Sequence, residues 1–293
     1  MLKDNKRADR SPHRYEDIKM VAEAIKSQLV KKQSPTVGII CGSGLGDLAE
    51  QLSDKQVVPY EKIPGFPVTH VAGHKGNLVF GNLGGKFVIC VQGRFHPYEH
   101  NMDLALCAMP VRVMKVLGVK TMIVSNAAGG ISPTLKEGDL MLIRDQIFIP
   151  GLAGFSPLVG PNDERFGARF PSVHAAYDPK LRSLAMDIAK AQSLRMEEGV
   201  YCMTAGPEYE SPAEVTFLKS VGADALGMST CHEVIVATQM GIKVLGFSLI
   251  TNTADLNVSI SKEVTHSEVL DVAAKAMAPT CKFVTEFVRR LSE

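Results

Sequence analysis

Nothing in this 293-residue chain approaches the roughly 20 consecutive apolar residues that a membrane-spanning helix requires. The opening stretch MLKDNKRADRSPHRYED is charged and has no apolar core, so no secretory signal is read there. Charge of one sign is missing too. Lys and Arg (32) nearly cancel Asp and Glu (31), which leaves a net charge of +1. No global field therefore points to nucleic acid or an anionic membrane. The six cysteines (Cys41, Cys90, Cys107, Cys202, Cys231, Cys281) form no Cys-x-x-Cys pair. Most lie in apolar runs such as FVICVQ, which fits buried thiols in a reducing cytoplasm. Clustered zinc ligands are lacking, and no metal is expected. Internal repeats, low-complexity tracts and linker composition are also lacking. The expectation is one cytoplasmic domain over residues 15–293, preceded by a flexible arm at 1–14.

What the chain does contain is alternation. Ile18, Val21, Ala22, Ile25 and Leu29 recur at helical spacing between Tyr15 and Lys32. TVGII (36–40) then reads as a buried strand. NLVFGNL and KFVICVQ flank Gly84-Gly85 as a hairpin. Met102–Leu117 reads as a helix that Pro110 kinks or truly begins. KTMIVSNAAGG and GDLMLIRDQIFI are strands, and the Gly- and Pro-rich stretch 151–177 is a long loop of the kind that is usually functional. Helices at 178–194, 212–221 and 232–240 then alternate with strands VYCMTAG, DALGMS and KVLGFSLITN, before a terminal helix from about His266. The fold class expected is α/β: a mixed, mostly parallel sheet flanked by helices.

In such sheets ligands bind beyond the carboxyl ends of strands. The residues found there are Ser43 in CGSGLG, Arg94, His96 and Tyr98 in GRFHPYEH, and Asn126 in SNAAGG. Glu210 in AGPEYES, Ser229 in GMST and Asn252 in LITN complete the set. Singly, each has a plain structural explanation as a cap, turn residue or core histidine. Together at six strand ends, they are hard to explain by packing. Arg94 offers a charged planar fork to an oxyanion, and hydroxyls and glycine-rich turn amides add donors. CGSGLGD lacks the Walker lysine, and no acidic cluster for Mg²⁺ is evident. Its glycines are also spaced G-x-G-x-G, so the third stands one position early for a dinucleotide fingerprint. A small, metal-free phosphate site is the better match.

CGSGLG, AGHKGNLVFG, QGRFHPYE, VSNAAGG, GPNDERFG, AGPEYESPAE, GADALGMST and GFSLITN occur in order between Cys41 and Asn252, within a resemblance that covers residues 15–290. Together they resemble the homotrimeric purine nucleoside phosphorylase family. That resemblance implies reversible phosphorolysis of purine nucleosides to free base and ribose 1-phosphate. Inorganic phosphate would be a co-substrate, no cofactor would be needed, and the partners would be purine nucleoside, phosphate and two further copies of the chain. It implies Ser43, His74, Arg94, His96, Ala127 and Ser229 at phosphate, His74 lying on a mobile loop. Tyr98, Tyr201, Met228 and His266 would hold ribose, with Phe166 lent by a neighbouring subunit. Glu210 and Asn252 would recognise the purine, with Tyr209 and Ala127 beside it, and Glu210, Asn252 and His96 would be the catalytic group.

Several positions depart from the family pattern. Glu208 stands where Ser is common and Tyr209 where Phe usually packs on the base. Thr253 follows the base-site asparagine in place of a frequent lysine, and His232 replaces a common proline. Glu208 would share a face with Glu210 on a strand, or point to solvent in a turn. These changes bear on base selectivity. Methylthioadenosine phosphorylase is the nearest relative-type alternative, but it usually carries Asp and Thr where Asn252 and Ser229 stand, and an apolar 5′-pocket where His266 stands. A nucleoside-binding protein without turnover is the alternative from another class.

Overall fold

The computed structural model describes residues 10–42, 45–71, 73–253 and 265–292, so the expectation for Ser43 lies outside the described residues. Among those described, the strands are β1 (Val37–Cys41), β2 (Ser53–Pro59), β3 (Asn77–Leu83), β4 (Lys86–Gln92), β5 (Thr121–Gly130), β6 (Leu140–Phe148), β7 (Met196–Met203), β8 (Ala225–Gly227) and β9 (Lys243–Thr253). The α-helices are α1 (Tyr15–Gln28), α2 (Leu104–Cys107), α3 (Met109–Leu117), α4 (Ile149–Leu152), α5 (Pro179–Ala191), α6 (Pro212–Ser220), α7 (Cys231–Gln239) and α8 (His266–Arg290).

The strands form one sheet in the order β2-β3-β4-β1-β5-β8-β7-β6-β9. β9 also pairs with β5, so β5, β8, β7, β6 and β9 close a circuit from which the other four strands extend. Parallel pairing joins β4, β1, β5 and β9, and separately β6, β7 and β8. The β3–β4 hairpin is antiparallel, as its Gly84-Gly85 turn predicts. The antiparallel β5–β8 and β6–β9 pairings, and the edge strand β2, go beyond the sequence reading.

β1 is buried at all five positions because β4 and β5 flank it and helices cover both faces. That explains its unbroken apolar sequence. One core cluster joins Ile18, Val21 and Ile25 of α1 to Val111 of α3 and Val234 of α7. A second, on the opposite face, gathers Ala185 and Ile188 of α5 with Phe283 and Phe287 of α8. Pro110 marks the start of α3, occupying its first turn, where the missing N–H costs nothing. Helix α1 ends at Gln28, short of Lys32, and the following N–H groups of Val30 and Lys31 donate to Gln56 Oε1 on β2.

Two features of the backbone position the site. β8 runs antiparallel to β5, with Ala225 opposite Gly130 and Leu226 opposite Gly129. The residues that follow it are therefore carried back toward Ala127, to the same end as the tips of β1, β4 and β9. Gly42, just past β1, touches β5 directly: a Cβ there would stand 2.6 Å from both Asn126 Cα and the Ser125 carbonyl oxygen. No side chain can yield at that contact, because both atoms belong to the backbone. Gly42→Ala should therefore destabilise the fold by about 1–3 kcal/mol. Urea unfolding measures this, and an unchanged midpoint would mean that β1 and β5 separate freely.

Candidate active site

A cavity of about 380 Å³ opens where these strand ends converge. Arg94, His96, Tyr98, Ala127, Tyr209, Glu210, Met228, Ser229, Asn252 and His266 all line it, although their chain positions span 94 to 266. Val71, Val215, Leu226 and Val269 supply apolar wall. The polar groups divide between two ends of the space.

At one end Arg94 is 1% exposed. Its Nε and Nη2 donate to the two carboxylate oxygens of Glu233, each at 3.0 Å, and its Nη1 donates to the Ser125 carbonyl at 2.7 Å. Glu233, in the first turn of α7, is equally buried, and sequence reasoning missed it. The available signal was that a buried guanidinium requires a buried counter-charge. His96 lies between two rings, stacked on His74 at 5.4 Å and on Tyr98 at 5.0 Å. Glu99 stands 3.5 Å from its Nδ1. Burial works against the Glu99 charge, but hydrogen bonds from the His96 ring, the His70 N–H and the His96 N–H hold its carboxyl down at about 2.

His74 does not line the cavity; it stands behind His96. Its Nδ1 lies 3.0 Å from the Arg94 carbonyl, which can only accept, so Nδ1 carries the proton and Nε2 the lone pair of the neutral ring. Burial first, and then the His96 charge, lower its pKa to about 4. Behind Ser229, Thr230 adopts a φ of +80°, rare for a β-branched residue. Its hydroxyl is fixed by Asn126 Nδ2 at 2.9 Å and lies 3.3 Å from Ser229 Oγ.

At the other end Thr204 Oγ1 donates to Glu210 Oε1 at 2.7 Å, which orients the carboxylate. Thr251 Oγ1 donates to Asn252 Oδ1 at 3.2 Å, so the amide's NH₂ edge is set by its oxygen. Gly129 makes room for that edge, since a Cβ there would stand 3.1 Å from Asn252 Nδ2. Tyr209 is half exposed on the cavity rim. Burial pushes the Tyr98 phenol up to about 12, with the Glu99 and Tyr209 charges adding to it, so the group is a neutral donor. Glu208 is exposed at a bend and does not line the cavity, which selects the turn reading over the shared-face one.

Two expectations require correction. Tyr201 is fully buried and does not line the cavity; its hydroxyl accepts from the Ser229 N–H at 3.3 Å. It supports Ser229 and is not placed to touch ribose. Phe166 is buried in its own chain, 5.5 Å from the Tyr15 ring and with the Arg112 guanidinium 5.3 Å over its face. In the same loop Phe170 is 90% exposed.

His232, the departure from proline, is fully buried with neither ring nitrogen hydrogen-bonded. Burial, then repulsion from Arg94 and His96, lowers its pKa to about 3. A lowered histidine pKa means that the unfolded chain takes up protons below pH 6.5 that the folded chain refuses. Stability should therefore fall as pH drops from 6.5 toward 5, a window above the titration of unfolded carboxylates. Replacing His232 with leucine should make that slope shallower by up to about 1.4 kcal/mol per pH unit. Denaturant titrations at stepped pH measure it, and an equally steep slope in the variant would show that His232 contributes none of the effect.

Residues 36–289 match the phosphorylase superfamily. The chain is 46% identical to rat purine nucleoside phosphorylase, over 92% of this chain and 93% of the rat protein. It is 47% identical to purine nucleoside phosphorylase 1 of Bacillus subtilis, over 92% and 97%. A crystal structure of Schistosoma mansoni purine nucleoside phosphorylase in complex with inosine superposes with a TM-score of 0.90 at 44% identity, covering 95% of this chain and 97% of that one. A structure from the same organism holds adenosine, an isoform 2 from it holds cytosine and ribose-1-phosphate, and a Schistosoma purine nucleoside phosphorylase holds guanosine. Sequence, fold and the two-ended cavity thus agree, and the chain belongs to the purine nucleoside phosphorylase family of the phosphorylase superfamily.

Proposed function

We propose that this chain cleaves the N-glycosidic bond of purine nucleosides with inorganic phosphate, releasing free base and pentose 1-phosphate. The observation that supports the reading is that one cavity gathers Arg94, His96 and Ser229, suited to an oxyanion, together with Glu210 and Asn252, suited to a purine. Phosphate would lie at Arg94, His96 and Ser229, close to the Ala127 backbone. The sugar would lie along Tyr98 and Met228 with its 5′-hydroxyl toward His266. The reading calls for no cofactor besides the co-substrate phosphate, and a cytoplasmic location suits the nucleoside substrate and the free thiols.

Phosphate attacks C1′ as the bond to the purine nitrogen breaks, so positive charge builds on the sugar and negative charge on the departing base. Interactions that strengthen as these charges grow are those that accelerate the reaction. Phosphate itself faces the cationic carbon. The Asn252 NH₂, oriented by Thr251, donates toward N7 of the purine. Glu210, with Oε1 engaged by Thr204, offers Oε2 to the N1–H that 6-oxopurines carry and adenine lacks. Inosine and guanosine are the substrates this pair fits best. The adenosine complex of the Schistosoma mansoni relative makes adenosine the informative competitor.

Incubation with inosine should release hypoxanthine only when phosphate is present. Release without phosphate would indicate a hydrolase, and no release a binding protein. Glu210→Ala should lower kcat/KM for inosine by about a hundredfold or more, the scale of losing one preorganised polar contact. Near-normal kinetics in that variant, or adenosine as the better substrate of the wild type, would remove Glu210 from base recognition.

The assembly proposed is a homotrimer. Leu152 at the end of α4 and Val159 and Phe170 in the loop that follows are 81%, 59% and 90% exposed, more apolar surface than an isolated loop usually presents. Phe170 replaces Phe166 as the aromatic available to a neighbour's sugar site. Light scattering should give three times the chain mass, and Phe170→Ala should raise KM for inosine while leaving KM for phosphate unchanged. A monomeric mass, or unaltered inosine kinetics in the variant, would refute this arrangement.

A further inference from the structure

Outside the cavity, three segments near its oxyanion end meet at one polar junction. The segment Gly73–Gly76 carries His74 and lies beside the end of β4: the Gly76 N–H donates to the Gln92 carbonyl at 2.9 Å, and His74 Nδ1 to that of Arg94. The side chain of Gln92, 2% exposed, accepts from Asn77 Nδ2 at 3.3 Å, and its Nε2 donates to the Gly46 carbonyl at 3.0 Å. Gly46 begins the short 3₁₀ helix Gly46–Gln51, which lies between β1 and β2 in the chain. That helix presents Glu50, whose Oε1 accepts both from Gln92 Nε2 and from Lys75 Nζ, each at 3.0 Å. Lys75 also lies 3.8 Å from Asp47, and Lys55 holds the second Glu50 oxygen at 2.6 Å. The hydrogen bonds from Lys55, Gln92 and Lys75 keep the Glu50 carboxyl at about 2, so the junction stays charged across the working pH range.

Lys75 and its partners are partly exposed, and an isolated pair of this kind is worth little to overall stability. Its placement gives it another use. Lys75 follows His74 directly in the chain, and Glu50 is joined through Gln92 to the strand that delivers Arg94. From these contacts we infer that the Lys75–Glu50 pair is a latch: Lys75 and Glu50 are positioning residues that hold the His74 segment against the Gly46–Gln51 turn and so set the geometry of the phosphate half of the site. The inference rests on the phosphate reading above. It makes no claim of contact between Lys75 and phosphate.

The latch and a direct charge effect predict opposite signs for one variant. Lys75→Met and Glu50→Gln each open the latch, but Glu50→Gln leaves the lysine's charge in place and releases it. KM for phosphate at saturating inosine, and KM for inosine at saturating phosphate, should be measured for the wild type, both single variants and the double variant. Both single variants should raise KM for phosphate by about three- to fivefold, the range of one partly exposed ion pair. KM for inosine should stay within about twofold of wild type, and the double variant should be no worse than either single. A Glu50→Gln enzyme that binds phosphate more tightly would show that Lys75 acts by charge alone and overturn the latch. Unchanged phosphate kinetics in both singles would overturn it equally, whatever their thermal stability. Inosine cleavage by the wild type that needs no phosphate would instead overturn the phosphate reading, and this inference with it.

Discussion

Arg94 cannot shed its charge, and the fold buries it almost completely. A guanidinium in that position is tolerable only with a carboxylate against it and its remaining donors placed. Glu233 meets it with both oxygens, and β5 contributes the Ser125 carbonyl. One side chain from the end of β4 is thereby tied to β5 and to the first turn of α7. Of the five N–H groups a guanidinium carries, these contacts engage three and leave two on a residue that lines the cavity. On the proposed reading a phosphate oxyanion would be positioned by that fork, which Glu233 and Ser125 hold from behind.

The rest of the site is arranged with reference to that point. Glu233 can reach Arg94 only if α7 starts where it does, and α7 starts just after β8, which the antiparallel pairing with β5 directs back toward the cavity. Ser229 and Met228 occupy that short connection. Tyr201 holds it from beneath through the Ser229 N–H, and Gly227 allows the tyrosine ring to come close, since a Cβ there would stand 2.5 Å from the phenol oxygen. Thr230 accepts an uncommon backbone conformation at the same place, and Asn126 of β5 fixes its hydroxyl. Strain at one residue is thus offset by a buried hydrogen bond to the strand that also supports Arg94.

Much of this was legible in the sequence, for a physical reason. Residues at strand ends must be polar to serve a ligand, while the strands themselves must be apolar because both faces are covered; Arg94, His96, Asn252 and Glu210 stand out against that background. Supporting residues show no such contrast. Glu233 sits in CHEVIVATQ and reads as a helix charge on the exposed side, although it faces inward to Arg94. Thr204 and Thr251 look like ordinary strand residues until their hydroxyls are seen on Glu210 and Asn252. β2 was unreadable because SDKQVVP is an edge strand, exposed over most of its length and without alternation. The motif DERFG led to Phe166, but an aromatic's burial depends on its neighbours: Tyr15 and Arg112, far away in sequence, take that ring into the core.

The Arg94–Glu233 pair also bears on how the site would use phosphate. The two charges cancel at close range, and the chain as a whole is nearly neutral at +1. On the proposed reading, attraction for the dianion would come not from a net positive field but from directed donors on Arg94, His96 and Ser229. Such donors would hold phosphate in place without neutralising it. On the proposed reading the uncancelled charge is the useful part, since the species that can answer it is the cation developing at C1′. Phosphate is then held modestly before reaction and more strongly as the sugar becomes positive, which is the difference in binding that lowers a barrier. A buried carboxylate behind the arginine, which looks at first like a loss of phosphate affinity, leaves that charge for the transition state.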